Sequence, residues 1–316
     1  MILPSVIAAI GQTPLVALDR IVAQHGLEGR LLCKLDYLLP GFSKKDRAAR
    51  AIIAAARAEG ALMPQQSVVE LTSGNMGTGL AIVCAVMGHP FVAVMSAGNS
   101  SERARMMTAL GAEVFIVPQQ AGGRPGQVSG ADLALVEEAA RQITAARGAF
   151  RADQFRHPGN PAAHRDGTAV ELWAQSEGTI TAFCDFAGSG GTLGGVAQAL
   201  GPRGVRCYGV EPRGAEALSG GDQSQPDHPI QGGGYLMGDL AHLANAPLAG
   251  VLTVSGAEAR AAARALAQTE GIFAGFSTGA NLAAAIALLH GPERGGSVAF
   301  VACDSGLKYL STDLWD

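Results

Sequence analysis

Charged side chains are scarce in this chain: Asp, Glu, Lys and Arg make up 16% of its 316 residues, whereas apolar residues make up 48%. Such a balance excludes disorder and fits a compact α/β enzyme with much buried surface, a subunit interface included. The net charge is −4 and the isoelectric point is near 6.0. An electrostatic grip on nucleic acid or an anionic membrane needs clustered cations and is therefore excluded. The expected partner is a small molecule.

CxxC spacing is absent from the five cysteines (Cys33, Cys84, Cys184, Cys207, Cys303), most of which sit in apolar runs where a reduced thiol packs as a small hydrophobe. This predicts a reducing compartment. No apolar run reaches about 18 residues, and the opening MILPSVIAAI has no basic segment before it, so a membrane span and secretion are not expected. The expectation is a cytoplasmic protein. The seven histidines show no HxxxH or similar spacing, and His157 and His164 read as loop or helix residues rather than metal ligands. At this length one large domain or two of ordinary size can bury a core without metals or disulfides.

Short β-branched or apolar runs alternate with helix-period stretches. The candidate strands are 31–38, 67–74, 91–98, 113–118, 182–190, 205–212 and 297–306. Between them, helical patterns fall at 44–59, 76–88, 100–110, 132–147, 191–200, 256–270 and 279–290. Alternation of this kind predicts mostly parallel sheets covered by helices on both faces. Several of these strands end in glycine-rich turns (TSGNMG, SAGNSS, GSGGT, CDSG), and in open α/β sheets ligands sit beyond the carboxyl ends of the strands. The stretch 119–131, QQAGGRPGQVSGA, reads as a flexible loop, either a lid or a tolerated insertion.

Two lysines stand side by side in GFSKKDRAARAII. Ser43 is a suitable N-cap and Asp46 suits the helix dipole, so a helix is expected from Lys44. Projected at about 100° per residue, Ala48, Ala49, Ile52 and Ala56 form an apolar stripe with Lys45 at its centre. Lys45 is thus expected to point inward; Lys44 need not, and Arg47, Arg50 and Arg57 fall on the side expected to be wet. An inward lysine is paired, or snorkels, or has the lowered pKa that an amine attacking a carbonyl requires.

AFCDFAGSGGTLGGV reads as strand, glycine turn and helix, with Gly188, Gly190 and Gly191 before Thr192. Backbone amides and the positive helix end of such a turn suit a phosphate, although a turn needing positive φ also explains the glycines. Glu211, at the end of the next strand, has the spacing of a dinucleotide-binding acid, but the third glycine of GxGxxG is Leu193 here. ELTSGNMGTGL has the same architecture, and Thr72, Ser73 and Asn75 offer hydroxyl and amide groups for a carboxylate. FAGFSTGANL places Ser277 as an N-cap, and Asp304 and Ser305 of CDSG are structural or border the site.

Taken in order, these pieces resemble the cysteine synthase family of fold-type II pyridoxal-phosphate enzymes, which includes O-acetylserine sulfhydrylases and cystathionine β-synthases. The resemblance spans GQTPLVAL (11–18), SKKDR (43–47), ELTSGNMGTGLA (70–81), ERARMMTALGAEV (102–114), DQF and NPAAH (near 153–164), GSGGTLGGV (188–196), EGIFAGFSTGA (270–280) and CDSGLKYLST (303–312). It implies two open, twisted, mostly parallel sheets flanked by helices. A small mobile substrate-loop domain would take 39–147, and a large cofactor-binding domain 1–38 plus 148–316.

By the same resemblance Lys45 carries pyridoxal 5'-phosphate as the internal aldimine and serves as general base. Gly188, Ser189, Gly190, Gly191 and Thr192 bind its phosphate, Asn75 lies against its 3-hydroxyl, and Ser277 meets its ring nitrogen. Thr72, Ser73, Gly74, Met76 and Gln154 form the substrate side. A neutral serine partner makes the cofactor a moderate electron sink. The implied reaction is β-replacement on an O-activated L-serine through an aminoacrylate, with sulfide as default nucleophile, in a cytoplasmic homodimer. A β-elimination lyase or a synthase using another nucleophile is the alternative within the fold. A nicotinamide dehydrogenase built on Gly188 and Glu211, or a binding protein without turnover, stands outside it. The chain departs from the family pattern at Met76, where a second threonine is usual, and at Lys44, where valine is usual. It departs again at Gly167-Thr168-Ala169-Val170 and in the longer 119–131 loop.

Overall fold

A computed structural model of the chain describes residues 2–72, 74–122 and 128–316. Ser73 and the middle of the 119–131 loop lie outside the described residues. The first half runs β1 (Leu15–Ala17), α1 (Asp19–Gln24), β2 (Arg30–Lys34), α2 (Lys45–Ala58), β3 (Val68–Leu71), α3 (Asn75–Met87), β4 (Phe91–Ser96), α4 (Ser101–Ala109), β5 (Glu113–Val117) and α5 (Gly130–Arg147). The second half runs β6 (Phe150–Arg151), α6 (Gly159–Ala163), α7 (Ala169–Gln175), β7 (Ala182–Phe186), α8 (Gly191–Leu200), β8 (Arg206–Pro212), β9 (Leu248–Val254), α9 (Gly256–Glu270), α10 (Phe276–His290) and β10 (Ser297–Val301).

Two sheets result. A six-stranded sheet has the order β1-β2-β10-β7-β8-β9, parallel throughout except for β1 against β2. A four-stranded sheet has the order β5-β4-β3-β6 and is wholly parallel. Strands β3, β4, β7 and β10 are buried along their whole length, as strands covered by helices on both faces must be. The fold class expected from alternation is therefore present.

Three strands, β1, β6 and β9, have no counterpart among the sequence expectations. The first two span three and two residues, too few for a period to register. The last reads LAGVLTV, a partly exposed edge strand interrupted by glycine. Elsewhere the expected strands run on too far: β3 stops at Leu71, β7 at Phe186 and β10 at Val301, and the chain leaves each of them through a turn.

Strand order places those turns together. In the six-stranded sheet the chain proceeds from β7 to β8 and β9 on one side, while β10 lies on the other. In the four-stranded sheet it proceeds from β3 to β4 and β5, while β6 lies on the other side. Each sheet thus has a switch point, and a crevice opens beyond the carboxyl ends of the strands flanking it. The turns after β7, β10, β3 and β6 carry Gly188, Cys303, Thr72 and Gln154.

Candidate active site

The apolar stripe of α2 is buried as its period predicts: Ala48, Ala49, Ile52 and Ala56 are fully withdrawn from water. Lys45 opens the helix, is half-buried, and aims its Nζ to 3.5 Å from Ser189 Oγ. Desolvation lowers its basicity first and the neighbouring Lys44 second, bringing its pKa down to about 8.

Three expectations about this segment need correction. Ser43 is not an N-cap: Lys44 holds that position without a side-chain cap, Ser43 Oγ has no partner, and the Asp46 N–H donates to the Ser43 carbonyl instead. Lys44 is not turned away. It is buried, and its Nζ donates to both carboxylate oxygens of Asp185 at 2.6 Å. Desolvation opposes the charge of Lys44, but the Asp185 carboxylate outweighs it and holds the ammonium above its ordinary value. Arg47 is not on a wet face either; it is 1% exposed and lies between the carboxylates of Asp36 and Glu171. Arg50 is half-buried, donating to the Ile10 carbonyl, and Arg57 is exposed as expected.

After β7 the chain turns through Gly188, Ser189 and Gly190 into α8. Gly190 is the N-cap with φ +80°, and no side chain caps the helix. Its first backbone N–H groups consequently have no intrahelical acceptor and face the crevice. Neighbours press on the turn from outside: a Cβ on Gly188 would come within 2.5 Å of the Gly232 carbonyl, and one on Gly191 within 2.1 Å of Asn160 Oδ1. Ser189 Oγ accepts from Asn160 Nδ2 at 2.9 Å, and the same amide group donates to the Gln154 carbonyl at 2.6 Å. His164, buried and pushed well below its ordinary pKa by desolvation, lies 3.3 Å from Thr192 Oγ1.

After β3 a second glycine turn leads into α3. Thr72 Oγ1 accepts from the Gly74 N–H at 2.9 Å and the Gly77 N–H at 2.8 Å, leaving its own proton to donate. Gly74 is the N-cap at φ +128°, with Arg103 packed where a Cβ would stand. Met76 is buried and joins the apolar core of this half. Asn75 is held from both ends of its amide: its Nδ2 donates to Asp304 at 2.7 Å, and its Oδ1 accepts from Lys308 Nζ at 2.7 Å. Lys308 is itself buried, and desolvation lowers it to about 8.

Lys45, Asn75, Gly188 to Thr192 and Ser277 all border one cleft, of about 430 Å³ counting the space open to solvent. Ser277 is a further correction, because Gly275 is the N-cap of α10 and Ser277 lies within its first turn. A second compartment adjoins the first, walled by Lys45, Met76 and Gln154 among others. Glu211 takes no part: its carboxylate accepts from the Leu218 and Ser219 N–H groups and the Ser219 hydroxyl. That anchors a loop and leaves no acid for a ribose. Residues around the cleft that sequence reasoning missed are Asp185, Asn281, whose amide donates to Asp185 at 3.2 Å, Asn160, and His242, whose Nε2 lies 2.9 Å from the Gln154 carbonyl. The usable signal was Asp185 itself, a carboxylate inside the otherwise apolar strand AFCDF, which demands a buried cation.

An amine that is to combine with a carbonyl must be uncharged near neutrality, and a phosphate tail requires amide donors at close range. Both requirements meet across this cleft, and the glycine cradle with the half-buried Lys45 fits pyridoxal phosphate. The class so defined is an enzyme working through an aldehyde cofactor with an anionic tail. Comparison agrees: the family model for pyridoxal-phosphate dependent enzymes matches residues 6–304, and the chain belongs to that family. It is 37% identical to the O-ureido-L-serine synthase of Streptomyces lavendulae, over 99% of this chain and 92% of that protein. It is 36% identical to cysteine synthase 3 of Caenorhabditis elegans, over 97% of this chain and 88% of that one. The crystal structure of an O-acetylserine dependent cystathionine beta-synthase from Helicobacter pylori matches with a TM-score of 0.89 and 29% identity, covering 100% of both chains.

Proposed function

We propose that the protein catalyses pyridoxal-phosphate-dependent β-replacement on an O-activated L-serine, with sulfide as default nucleophile and cysteine as product. The observation that carries this reading is the Lys45 amine, lowered to about 8 and facing the glycine cradle across one cleft. When bound, the cofactor supplies a sink for the electron pair left at the substrate Cα.

The chain's own groups do the rest. Amides of Gly188, Ser189, Gly190, Gly191 and Thr192 would bind the phosphate. The Asn75 amide, fixed by Asp304 and Lys308, would hold the cofactor's 3-hydroxyl, and the neutral Ser277 hydroxyl would serve its ring nitrogen. Lys45 Nζ takes the proton from Cα. The Thr72 hydroxyl and the Gln154 amide orient the substrate carboxylate, and Met76 excludes water beside it. Ser73 shares that task on sequence grounds alone.

A second reading, a synthase that accepts a larger organic nucleophile, is favoured by a cavity beside Thr72 of about 1130 Å³ counting the space open to solvent, against about 430 Å³ for the cleft, that Arg103, His228 and Tyr235 help to line. Sulfide needs little more than the roughly 30 Å³ of a water molecule. The smaller unit, 39–147, carries the substrate turn, and the larger, 1–38 plus 148–316, carries the phosphate cradle. Low charge content supports a homodimer, and five buried free cysteines support a cytoplasmic location; no helix among the described residues is long and apolar enough to cross a membrane.

The test is to add pyridoxal phosphate, reduce with borohydride and map the labelled peptide, then supply O-acetylserine with sulfide, amines or thiols. Label on Lys45 and cysteine formation are expected. Label elsewhere refutes the reading, and turnover with larger nucleophiles but not sulfide selects the second.

A further inference from the structure

Asn160 lies in the first turn of α6, is 1% exposed, and has no part in the chemistry assigned so far. Its side-chain amide lies over Gly191, where an added Cβ would fall 2.1 Å from Oδ1 and 2.7 Å from Nδ2. The Nδ2 group directs one hydrogen to the Gln154 carbonyl at 2.6 Å and the other to Ser189 Oγ at 2.9 Å. It thus joins the turn after β6 to the glycine cradle after β7.

The partners decide which way each proton points. A backbone carbonyl only accepts, so the end of the amide facing Gln154 must be Nδ2, and the orientation of Asn160 is fixed. His242 Nε2, 2.9 Å from the same oxygen, carries its proton for the same reason. An amide nitrogen with both hydrogens engaged can only donate. Ser189 Oγ is therefore an acceptor toward Asn160, and its single proton must go elsewhere.

Among the described residues the other polar contact of Ser189 Oγ is Lys45 Nζ at 3.5 Å, the outer limit of a hydrogen bond. Ser189 is 3% exposed and borders both the cleft and the compartment beside it. Its proton is left for a ligand in the cleft. A hydroxyl free to rotate presents a proton or a lone pair equally well, whereas one already engaged as acceptor is preset as a donor, and accepting strengthens it in that role.

We propose that Asn160 is a positioning residue for phosphate recognition: anchored on the Gln154 carbonyl, its amide occupies the accepting side of the Ser189 hydroxyl and makes that hydroxyl a donor to the cofactor's anionic tail. The inference rests on the reading of Gly188 to Thr192 as the phosphate cradle. It adds a side-chain donor to the backbone amides of that turn and places its control in α6.

The experiment separates the phosphate from the aldehyde. The full-length chain, freed of cofactor, is titrated with pyridoxal 5'-phosphate and with pyridoxal, which has the same aldehyde and no phosphate, and both are followed by visible absorption. The ratio of the two dissociation constants reads what the cradle contributes. Asn160→Ala is expected to reduce the preference for the phosphate form about tenfold, the scale of one hydrogen bond to a charged group, while pyridoxal affinity stays within about twofold. Ser189→Ala is expected to do the same. The double variant is expected to lose no more than either single one, because both act through one hydroxyl.

An Asn160→Ala protein that folds by circular dichroism and keeps the full preference overturns the proposal, and so do losses that add in the double variant. Should Asn160→Ala fail to fold, an unchanged preference in Ser189→Ala overturns it instead. An unaltered chain that binds both aldehydes equally overturns the cradle assignment and this inference together. A preference present in the unaltered chain and unmoved by either substitution overturns this inference alone.

Discussion

Arg47 and Lys45 stand two residues apart on α2, and their surroundings are opposite. Arg47 is enclosed by Asp36, Glu171 and Thr13, which accept from its guanidinium at 2.6 to 3.1 Å. Lys34 completes the cluster at 2.7 Å from Glu171. Desolvation is outweighed there, so the guanidinium is held above its ordinary value, and burial notwithstanding, Glu171 is drawn down to about 2 by Arg47 and Lys34. Lys45 has the reverse: no carboxylate within bonding distance among the described residues, a cation beside it, and a pKa lowered to about 8. Two cations on one helix turn thus separate into a satisfied one that ties α2 to β2 and α7, and an unsatisfied one that faces a cleft. Completed buried networks hold a fold together, while incomplete ones keep a group reactive.

The sharpest way to break this contrast is to remove each cation in turn. Lys45→Ala is expected to lower turnover of O-acetylserine with sulfide by about 10³-fold or more, the scale of a lost general base, with circular dichroism unchanged. Arg47→Met leaves two carboxylates short of their partner and is expected to cost about 3–5 kcal/mol in urea unfolding.

Gly191→Ala affects the cleft without touching either cation. The added methyl collides with Asn160, and pyridoxal-phosphate affinity is expected to fall about tenfold in absorption titrations, the consequence of one or two lost amide contacts.

Acid exposes the satisfied side. Glu171 in the fold sits below its ordinary value of 4.5, at about 2. Its stabilisation is therefore complete above about pH 4.5 and disappears as the pH falls through about 2. Equilibrium unfolding of the unaltered chain should steepen in that window, and Arg47→Met should flatten it.

The smallest effect belongs to Lys45 and has the opposite sign. Its folded pKa of about 8 lies below the ordinary 10.5, so protonation in the fold costs stability below about pH 8, and the cost vanishes above about pH 10.5. Lys45→Met is expected to raise the melting temperature of the cofactor-free chain by about 1–3 °C at neutral pH. That gain should fade in alkaline buffer.

The α2 contrast also marks how far sequence reasoning reaches. The apolar stripe of α2, the inward lysine and both glycine turns were legible because helical period and turn chemistry are local. The alternation of strands and helices sufficed for mostly parallel sheets by the same logic, whereas their number, two, came from the family resemblance. Placing Arg47 on a wet face failed because its partner Glu171 is 124 residues away, and no periodicity carries that. Reading Lys44 as free to turn outward failed for the same reason, with Asp185 at 141. Both Ser43 and Ser277 look like caps by residue type, yet backbone geometry gave those positions to Lys44 and Gly275. Strands β1 and β6 were too short to announce themselves.

The two glycine turns belong to separate hydrogen-bonded sheets, one after β3 and the other after β7. Backbone strain introduced in one has no strand ladder through which to reach the other, so the two turns can drift independently. A laboratory lineage could rewrite Met76, Gly77 and Thr78 after β3 while Asn75 and the turn at 188–192 stay as they were.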